Sequence, residues 1–300
     1  MGTVPQSAQL TWAWAQQRIW SLTANRLKRR IDQGRLTALA LGIATAVLAV
    51  AAHQVGGLSV LAGQVLSAVA AVTAGAATLV QRRVSSGQIR DWTRARSASE
   101  GLKTEIYSYL GGGGAYTVPG PGPGPDERLG ENTEGIVEAV DDLQRHTLGI
   151  VPDGKSIPLV HDVDSYLVLR VNDQIGNYYR KKAALYDTRV RRLRTAGDVL
   201  GATAFVLAAV AAAFKVDSLN AWVPVVTTIG TSVVAYIAAA RYDHMVVEYL
   251  RTAQRLESLC RERRAKPDGD PAAFIDACEA AISVENQGWM ARWDAPEQDT

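Results

Sequence analysis

From Leu36 to Val80 the chain carries no Lys, Arg, Asp or Glu over 45 residues, and His53 is the one titratable group there. A membrane-spanning helix needs about 20 apolar residues, so this stretch holds two spans and a tight turn. His53-Gln54-Val55-Gly56-Gly57 supplies a polar, glycine-bearing turn. The pattern predicts spans over Leu36–Ala52 and Leu58–Val80. It then recurs. Val199–Phe214 is uncharged, Lys215 and Asp217 mark a turn, and Ser218–Ala240 is uncharged again. Trp222 suits the headgroup level and Pro224 the first turn of a helix. The third span is short, so it is expected to begin near Ala196 and to include Asp198, which could pair with Arg194 one turn back. The competing reading is a soluble helical protein with two buried hairpins; soluble helices generally keep one wet face.

Outside the spans the periodicity is helical. Asp164 is placed to cap a long helix whose apolar stripe runs Leu167, Val171, Gln174, Tyr178, Leu185, Tyr186, Val190, Leu193 and leads into the third span. After the fourth span, Val246, Leu250, Ala253, Leu256 and Cys260 continue in the same manner. Short turns make the spans antiparallel, so the extensions should run side by side as a helical stalk. Trp12–Arg30 and Gln88–Leu110 repeat this around the first hairpin, with Trp12, Trp14 and Trp20 serving either as interfacial anchors or as stalk packing. A last helix from Pro271 to Trp293 would pack through Phe274, Cys278, Ala281, Ile282, Trp289 and Trp293.

The fold class is therefore an all-α membrane protein: two tandem transmembrane hairpins, four spans, with long cytoplasmic helical extensions. The halves are related. Arg35, Leu41-Gly42 and Val47-Leu48-Ala49 correspond to Arg194, Leu200-Gly201 and Val206-Leu207-Ala208 at an offset of 159; Trp92, Arg94, Glu100 and Leu102 correspond to Tyr249, Arg251, Glu257 and Leu259 at an offset of 157. The expected layout is a first two-span module over 1–110, a Gly/Pro-rich linker over 111–132, a short helix and loop over 133–163 with Thr133 as its cap, and a second module over 164–300. Gly111–Gly114 and Pro119–Pro125 are expected to be neither helix nor strand.

The net charge of +2 excludes binding to nucleic acid by charge alone. Arginines and lysines flank the outer ends of both hairpins: Arg26, Lys28, Arg29, Arg30 and Arg35; Arg82, Arg83 and Arg90; Arg189, Arg191, Arg192 and Arg194; Arg241, Arg251 and Arg255. Basic residues near span ends stay on the cytoplasmic side. Both termini and the middle segment are thus expected inside a cytoplasmic membrane, with only two small turns beyond it. The N-terminus carries no basic-then-apolar run with a small-residue cleavage site, so the first span is expected to act as the insertion signal. Cys260 and Cys278 make no disulfide framework and no CxxC spacing.

Gly149–Ser156 fits the phosphate-loop pattern GxxxxGK[ST]. That chemistry needs a strand before and a helix directly after, whereas Pro158 interrupts the would-be helix, so an ordinary loop is expected. His161, Asp162 and Asp164 could approach a metal, but capping explains the acids more simply. No catalytic, metal or cofactor set stands out, and the chain reads as a non-enzyme. Within the spans, Gly63, Ser67, Ala71 and Gly75 recur every fourth residue, as do Ala204, Ala208 and Ala212, and Ala40, Ala44 and Ala52 share a stripe on the first span. Small residues let helices approach closely in lipid, within a hairpin or between copies.

Two stretches resemble a known group: Tyr166-Leu167-x-x-Arg170-Val171-x-Asp173-Gln174-Ile175-x-x-Tyr178-Tyr179-Arg180-x-Lys182-Ala183, and Ile282-Ser283-x-Glu285-Asn286-Gln287-x-Trp289-x-x-Arg292-Trp293. They resemble the SLATT family, the SMODS- and SLOG-associating two-transmembrane effectors. The match is closest over Asp164–Trp293, and the first half looks like a more divergent module of that kind. The resemblance implies an effector that forms pores or perturbs the membrane when a partner sensor or second-messenger system detects invasion. The functional reading is an oligomeric membrane effector in the lipid bilayer with a cytoplasmic sensing partner; the alternative is a membrane-anchored scaffold that recruits cytoplasmic proteins. A nucleotide hydrolase built on Lys155 is the third reading. The tail residues Glu285, Asn286, Trp289 and Arg292 are expected to dock the last helix.

Overall fold

The structure is a computed structural model and describes residues 7–83, 86–117 and 122–293; the side chains of residues 83, 217, 239–240 and 284–293 lie outside that description. The chain is 86% helical, with no strand among the described residues. It divides into two compact units, each drawn from both halves of the sequence. One comprises Met1–Arg29, Ser86–Ala183 and Val247–Thr300; the other comprises Arg30–Ser85 and Ala184–Val246.

The second of these holds the two hairpins. Helix α1 (Ala8–Gly56) continues through His53-Gln54-Val55, so the first turn is Gly57–Ser59 and lies later than the sequence suggests; α2 follows (Val60–Arg83). His53, Gln54 and Val55 carry side chains that a helix accepts, and the break waits for consecutive glycines. In the other hairpin, α7 (Lys181–Phe214) ends at Lys215 in a left-handed conformation with φ 51°. A short α8 (Asp217–Asn220) then leads to α9 (Val223–Ala240), which has Pro224 in its first turn. Arg241, at φ 50°, closes α9, and α10 (Tyr242–Ala265) follows. Four helices have windows long and apolar enough to cross a membrane, and only 6–11% of those window residues are buried within the chain. That exposure rules against the reading of two hairpins buried in a soluble core, because apolar helices left uncovered need lipid.

The other unit is built on α3 (Ser86–Gly111), which α11 (Pro271–Trp293), α5 (Pro125–Glu138), α4 (Gly114–Thr117) and α6 (Val163–Tyr166) all pack against. Three sequence expectations are corrected here. The glycine- and proline-rich stretch is partly helical: α4 forms within it, and Pro125 opens α5 at the first helical position, where its missing N–H costs nothing. Thr133 does not cap a helix; it is fully buried in the middle of α5. Asp162, not Asp164, caps α6: its carboxylate accepts from the Ser165 N–H at 2.7 Å, and the Ser165 hydroxyl accepts from the Asp162 N–H at 3.1 Å.

After α6 the chain adopts two π-helical stretches, Leu167–Asn172 and Gln174–Arg180, before becoming α-helical in α7. The inward residues Tyr166, Arg170, Val171, Gln174, Ile175 and Tyr179 recur at the wider spacing of a π turn. From Tyr179 the spacing tightens to Ala183, Tyr186 and Val190. Leu185, expected on the apolar stripe, is half exposed. On α10 the inward set is Met245, Tyr249, Ala253, Leu256 and Cys260, and Leu250 faces outward.

Candidate functional site: the spans and a buried polar cluster

Within the first hairpin the backbones meet near the turn. A Cβ placed on Gly63 would lie 2.6 Å from the Gly56 Cα and 3.1 Å from the Ala52 carbonyl oxygen. Farther along, the Thr45 and Thr73 hydroxyls are 2.9 Å apart across the hairpin. The four-residue stripe does not stay on this seam. Steps of four overrun the 3.6-residue turn, so Gly63 is buried while Ser67, Ala71 and Gly75 are exposed, and a Cβ on Gly75 would meet nothing within 4 Å. In the other hairpin Ala204 is buried, Ala208 half buried and Ala212 exposed, and Ala211 takes the inward place. Leu200 sits 3.7 Å from a Cβ built on Gly230, and Tyr186 stacks on Tyr242 with ring centroids 5.3 Å apart. Arg194 pairs with Asp243 at 2.9 Å rather than with Asp198, which is exposed. Gln54 donates to the Ser218 carbonyl at 2.8 Å, which ties the two turns together.

In the other unit the signature residues Tyr166 and Arg170 converge on an acid that sequence reasoning missed, Glu279 of α11. Arg170 donates through Nε at 2.8 Å and Nη2 at 2.7 Å; Tyr166 OH and Thr104 Oγ1 each donate at 3.0 Å. Both carboxylate oxygens are thus doubly satisfied in a place where an unpaired charge would be costly. The Arg170 guanidinium also lies 4.4 Å from the Tyr107 ring centroid. Burial works against the charged form of Arg170, but Glu279 outweighs it and holds the guanidinium charged. Burial, then the neighbouring Glu279, pushes the Tyr166 phenol up, so it stays a donor. Burial likewise pushes the Cys278 thiol up. Glu279 sits inside the apolar stripe Phe274, Ile275, Cys278 and Ile282; an acid in such a stripe is the signal that could have marked it.

Of the remaining signature residues, Tyr178, Arg180 and Gln174 have described surroundings. Tyr178 accepts from Arg96 Nη2 at 2.5 Å, and Arg96 pairs with Glu100 at 3.3 Å. Arg180 is exposed and pairs with Glu257 at 2.5 Å, and Gln174 is buried. The backbone of α11 runs through Glu285, Asn286, Trp289 and Arg292, but their side chains lie outside the described residues. Positions matched between the halves share environments: Trp92 and Tyr249 are both buried, as are Leu102 and Leu259. Of the three tryptophans near the start, Trp20 is packed inside, Trp14 donates to the Lys155 carbonyl at 2.7 Å, and Trp12 is partly exposed.

The GxxxxGKS segment is an irregular loop laid along α1. Arg18 grips Asp153 through two bonds, at 2.8 and 2.6 Å, and Arg26 donates to the Leu148 carbonyl at 3.0 Å. The next helix starts only at Val163. Asp162 serves as a cap, and no cluster of three or more metal-binding side chains occurs among the described residues.

Residues 166–289 match SLATT_1, the SMODS and SLOG-associating 2TM effector domain 1. The match covers most of the second half of the chain. It holds the second hairpin and Arg170 with Glu279, so the buried ion pair lies wholly within it. Residues 18–120 match DUF4231, a family of proteins of unknown function, and this match holds the first hairpin and α3. The two matches in succession accord with a tandem, two-module chain. No curated protein and no solved structure matches. Four candidate spans, two of them within the stretch similar to the two-transmembrane SLATT model, support a multi-pass membrane protein.

Proposed function

We propose that this protein is a homo-oligomeric membrane effector that forms a pore or perturbs the bilayer, within a nucleotide-signal or conflict system of the antiphage type. The observation that carries this reading is a matched face on the second span of each hairpin. On α2, Gln64, Ser67, Ala71, Gly75 and Thr78 are exposed, at steps of three, four, four and three. On α9, Pro224, Thr227, Thr231, Ala235 and Ala238 are exposed at the same steps. Such steps track one side of an α-helix. The threonines donate to their own helix: Thr78 to Ala74 at 3.1 Å, Thr227 to Val223 at 2.9 Å and Thr231 to Thr227 at 3.1 Å. The Gln64 amide has no hydrogen-bond partner among the described residues. Lipid offers it none, whereas another helix or a water-filled path does.

The basic flanks support insertion in a cytoplasmic membrane with both termini inside. The chain's helical mass outside the spans then faces the cytoplasm, where a sensor could reach it. The test is ion flux from liposomes containing the purified protein, beside oligomer size in detergent. Flux that falls with Thr231→Leu or Gln64→Leu supports the pore. A stable oligomer without flux favours the scaffold reading, and a monomer without flux removes the proposal.

A further inference from the structure

The polar cluster around Glu279 has one cation more than it has anions. Arg96, Glu100 and Lys103 come from α3, Arg170 from the first π stretch and Glu279 from α11. The other groups facing it are Thr104, Tyr107, Tyr166, Tyr178 and Cys278, uncharged as phenol, hydroxyl or thiol, with the exposed Arg255 acting on Cys278 and Asp173 on Tyr107 from the rim. Asp173 is exposed and holds Asn177 at 2.8 Å. Glu279 is fully committed to Arg170, Tyr166 and Thr104, and Glu100 is paired with Arg96. Lys103 makes no hydrogen bond and no ion pair with any described residue. Beside it, Arg170 is 1% exposed, yet its Nη1 is buried without a hydrogen-bond partner. A buried guanidinium donor left unpaired is costly and marks a missing acceptor.

We infer that Lys103 and the free edge of Arg170 form a binding site for one monoanionic oxyanion of the phosphodiester type. A single negative charge would match the inner cations Arg96, Lys103 and Arg170 against Glu100, Glu279 and the ligand. Its oxygens would accept from Arg170 Nη1 and from the Lys103 ammonium, a compact charge on a flexible stem suited to phosphate. Arg170 is sealed from solvent, but Lys103 is partly exposed, which leaves a way in. Burial, then Arg170, holds the Lys103 ammonium down to about 8 in the absence of an added anion; a bound anion favours the charged form and reverses that shift. This inference stands independently of the pore reading, since every residue it uses lies outside the spans.

The test uses the full-length protein in detergent and dimethyl phosphate as the probe, at constant ionic strength. A brief pulse of acetic anhydride followed by peptide mass spectrometry reads the reactivity of Lys103, with exposed Lys215 as internal standard. Binding should slow Lys103 acetylation about tenfold when the probe is about nine times its Kd, leave Lys215 unchanged, and raise Tm. Lys103→Gln should abolish the Tm rise and Lys103→Arg should keep it. A second arm compares nanodiscs of phosphatidylglycerol with nanodiscs of phosphatidylcholine; protection by the anionic lipid alone assigns the site to a headgroup, and protection by dimethyl phosphate in detergent assigns it to a free ligand. The inference is overturned if Lys103 reacts equally fast in both arms, or if the Tm rise persists in Lys103→Gln.

Discussion

Arg170 and Glu279 form a two-pronged ion pair, Nε and Nη2 on the two carboxylate oxygens, with side chains only 1% and 3% exposed. It joins the first π stretch to α11 across 109 residues of sequence. Glu279→Gln keeps the shape but leaves Arg170 charged and buried without its counterion. A loss of about 3–5 kcal/mol is expected when one partner of such a pair is removed. Arg170→Met with Glu279→Met should cost less than either single change. Thermal melts in detergent check both statements; equal melting of Glu279→Gln and the parent would falsify the pair's structural role.

Lys103 gives the pH dependence its sign. Its folded pKa, about 8, lies below the unfolded value of about 10.4. Between these values the unfolded chain binds more protons, so stability should rise with pH from about 8 to 10.4 and be insensitive to this group below 8. Glu100 has the same sign in an acid window, also through a lowered folded pKa. Burial raises its pKa, but Arg96, Lys103 and Arg170 together pull it below the ordinary carboxylate value. Its contribution is present above the unfolded pKa near 4.3 and is lost as pH falls through the lower folded value. Melts of the parent and Lys103→Met across about pH 2–10.5 separate the two, since Lys103→Met should remove the alkaline rise and shrink but not abolish the acid loss, which Arg96 and Arg170 still support.

The spans were legible in the sequence because hydropathy alone sets them: a long uncharged run has few other homes. Their turns were less so. His53–Gly56 is polar enough to suggest a loop, yet nothing in it prevents another turn of helix, and the break came at Gly57. The π stretches were hidden because steps of four and five residues look like the mixed steps of an α-helix until the inward set Tyr166, Arg170, Gln174 and Tyr179 is seen together. The cluster could be half read. Tyr166 and Arg170 stood in a recognisable signature, but their partners Thr104 and Glu279 come from helices distant in sequence, and only the fold brings them together. Thr133 shows the reverse error: a good capping residue by type, it was overruled by Pro125 eight residues earlier.

Cysteine labelling tests the orientation. The native Cys260 and Cys278 are 5% and 0% exposed, so they give little background in intact cells. Ser218→Cys, at the second turn, should react with an impermeant maleimide from outside. Gly122→Cys should react only after the membrane is permeabilised. External labelling at residue 122 would reverse the inside placement argued from the basic flanks.

Gly63 and Ala71 separate packing within the hairpin from packing between copies. At Gly63 even alanine places a Cβ 2.6 Å from the Gly56 Cα, which is backbone and cannot swing aside. Gly63→Ala should therefore open the first hairpin, lowering Tm by several degrees and exposing the turn to proteolysis. Ala71 faces outward, and Gly75 has open space where a side chain would go. Ala71→Leu and Gly75→Leu should leave the hairpin intact, because both positions face outward and a Cβ on Gly75 meets nothing within 4 Å. In lipid, helices gain no hydrophobic drive to associate, so contact between copies depends on close approach at small residues. The leucine variants should shift the oligomer toward smaller species and reduce toxicity on overexpression, whereas Leu79→Ala should change neither. Oligomer size by native mass spectrometry decides it: if Ala71→Leu and Gly75→Leu both assemble like the parent, this face of α2 meets lipid, and assembly has to be carried by α9 or by the helices outside the spans.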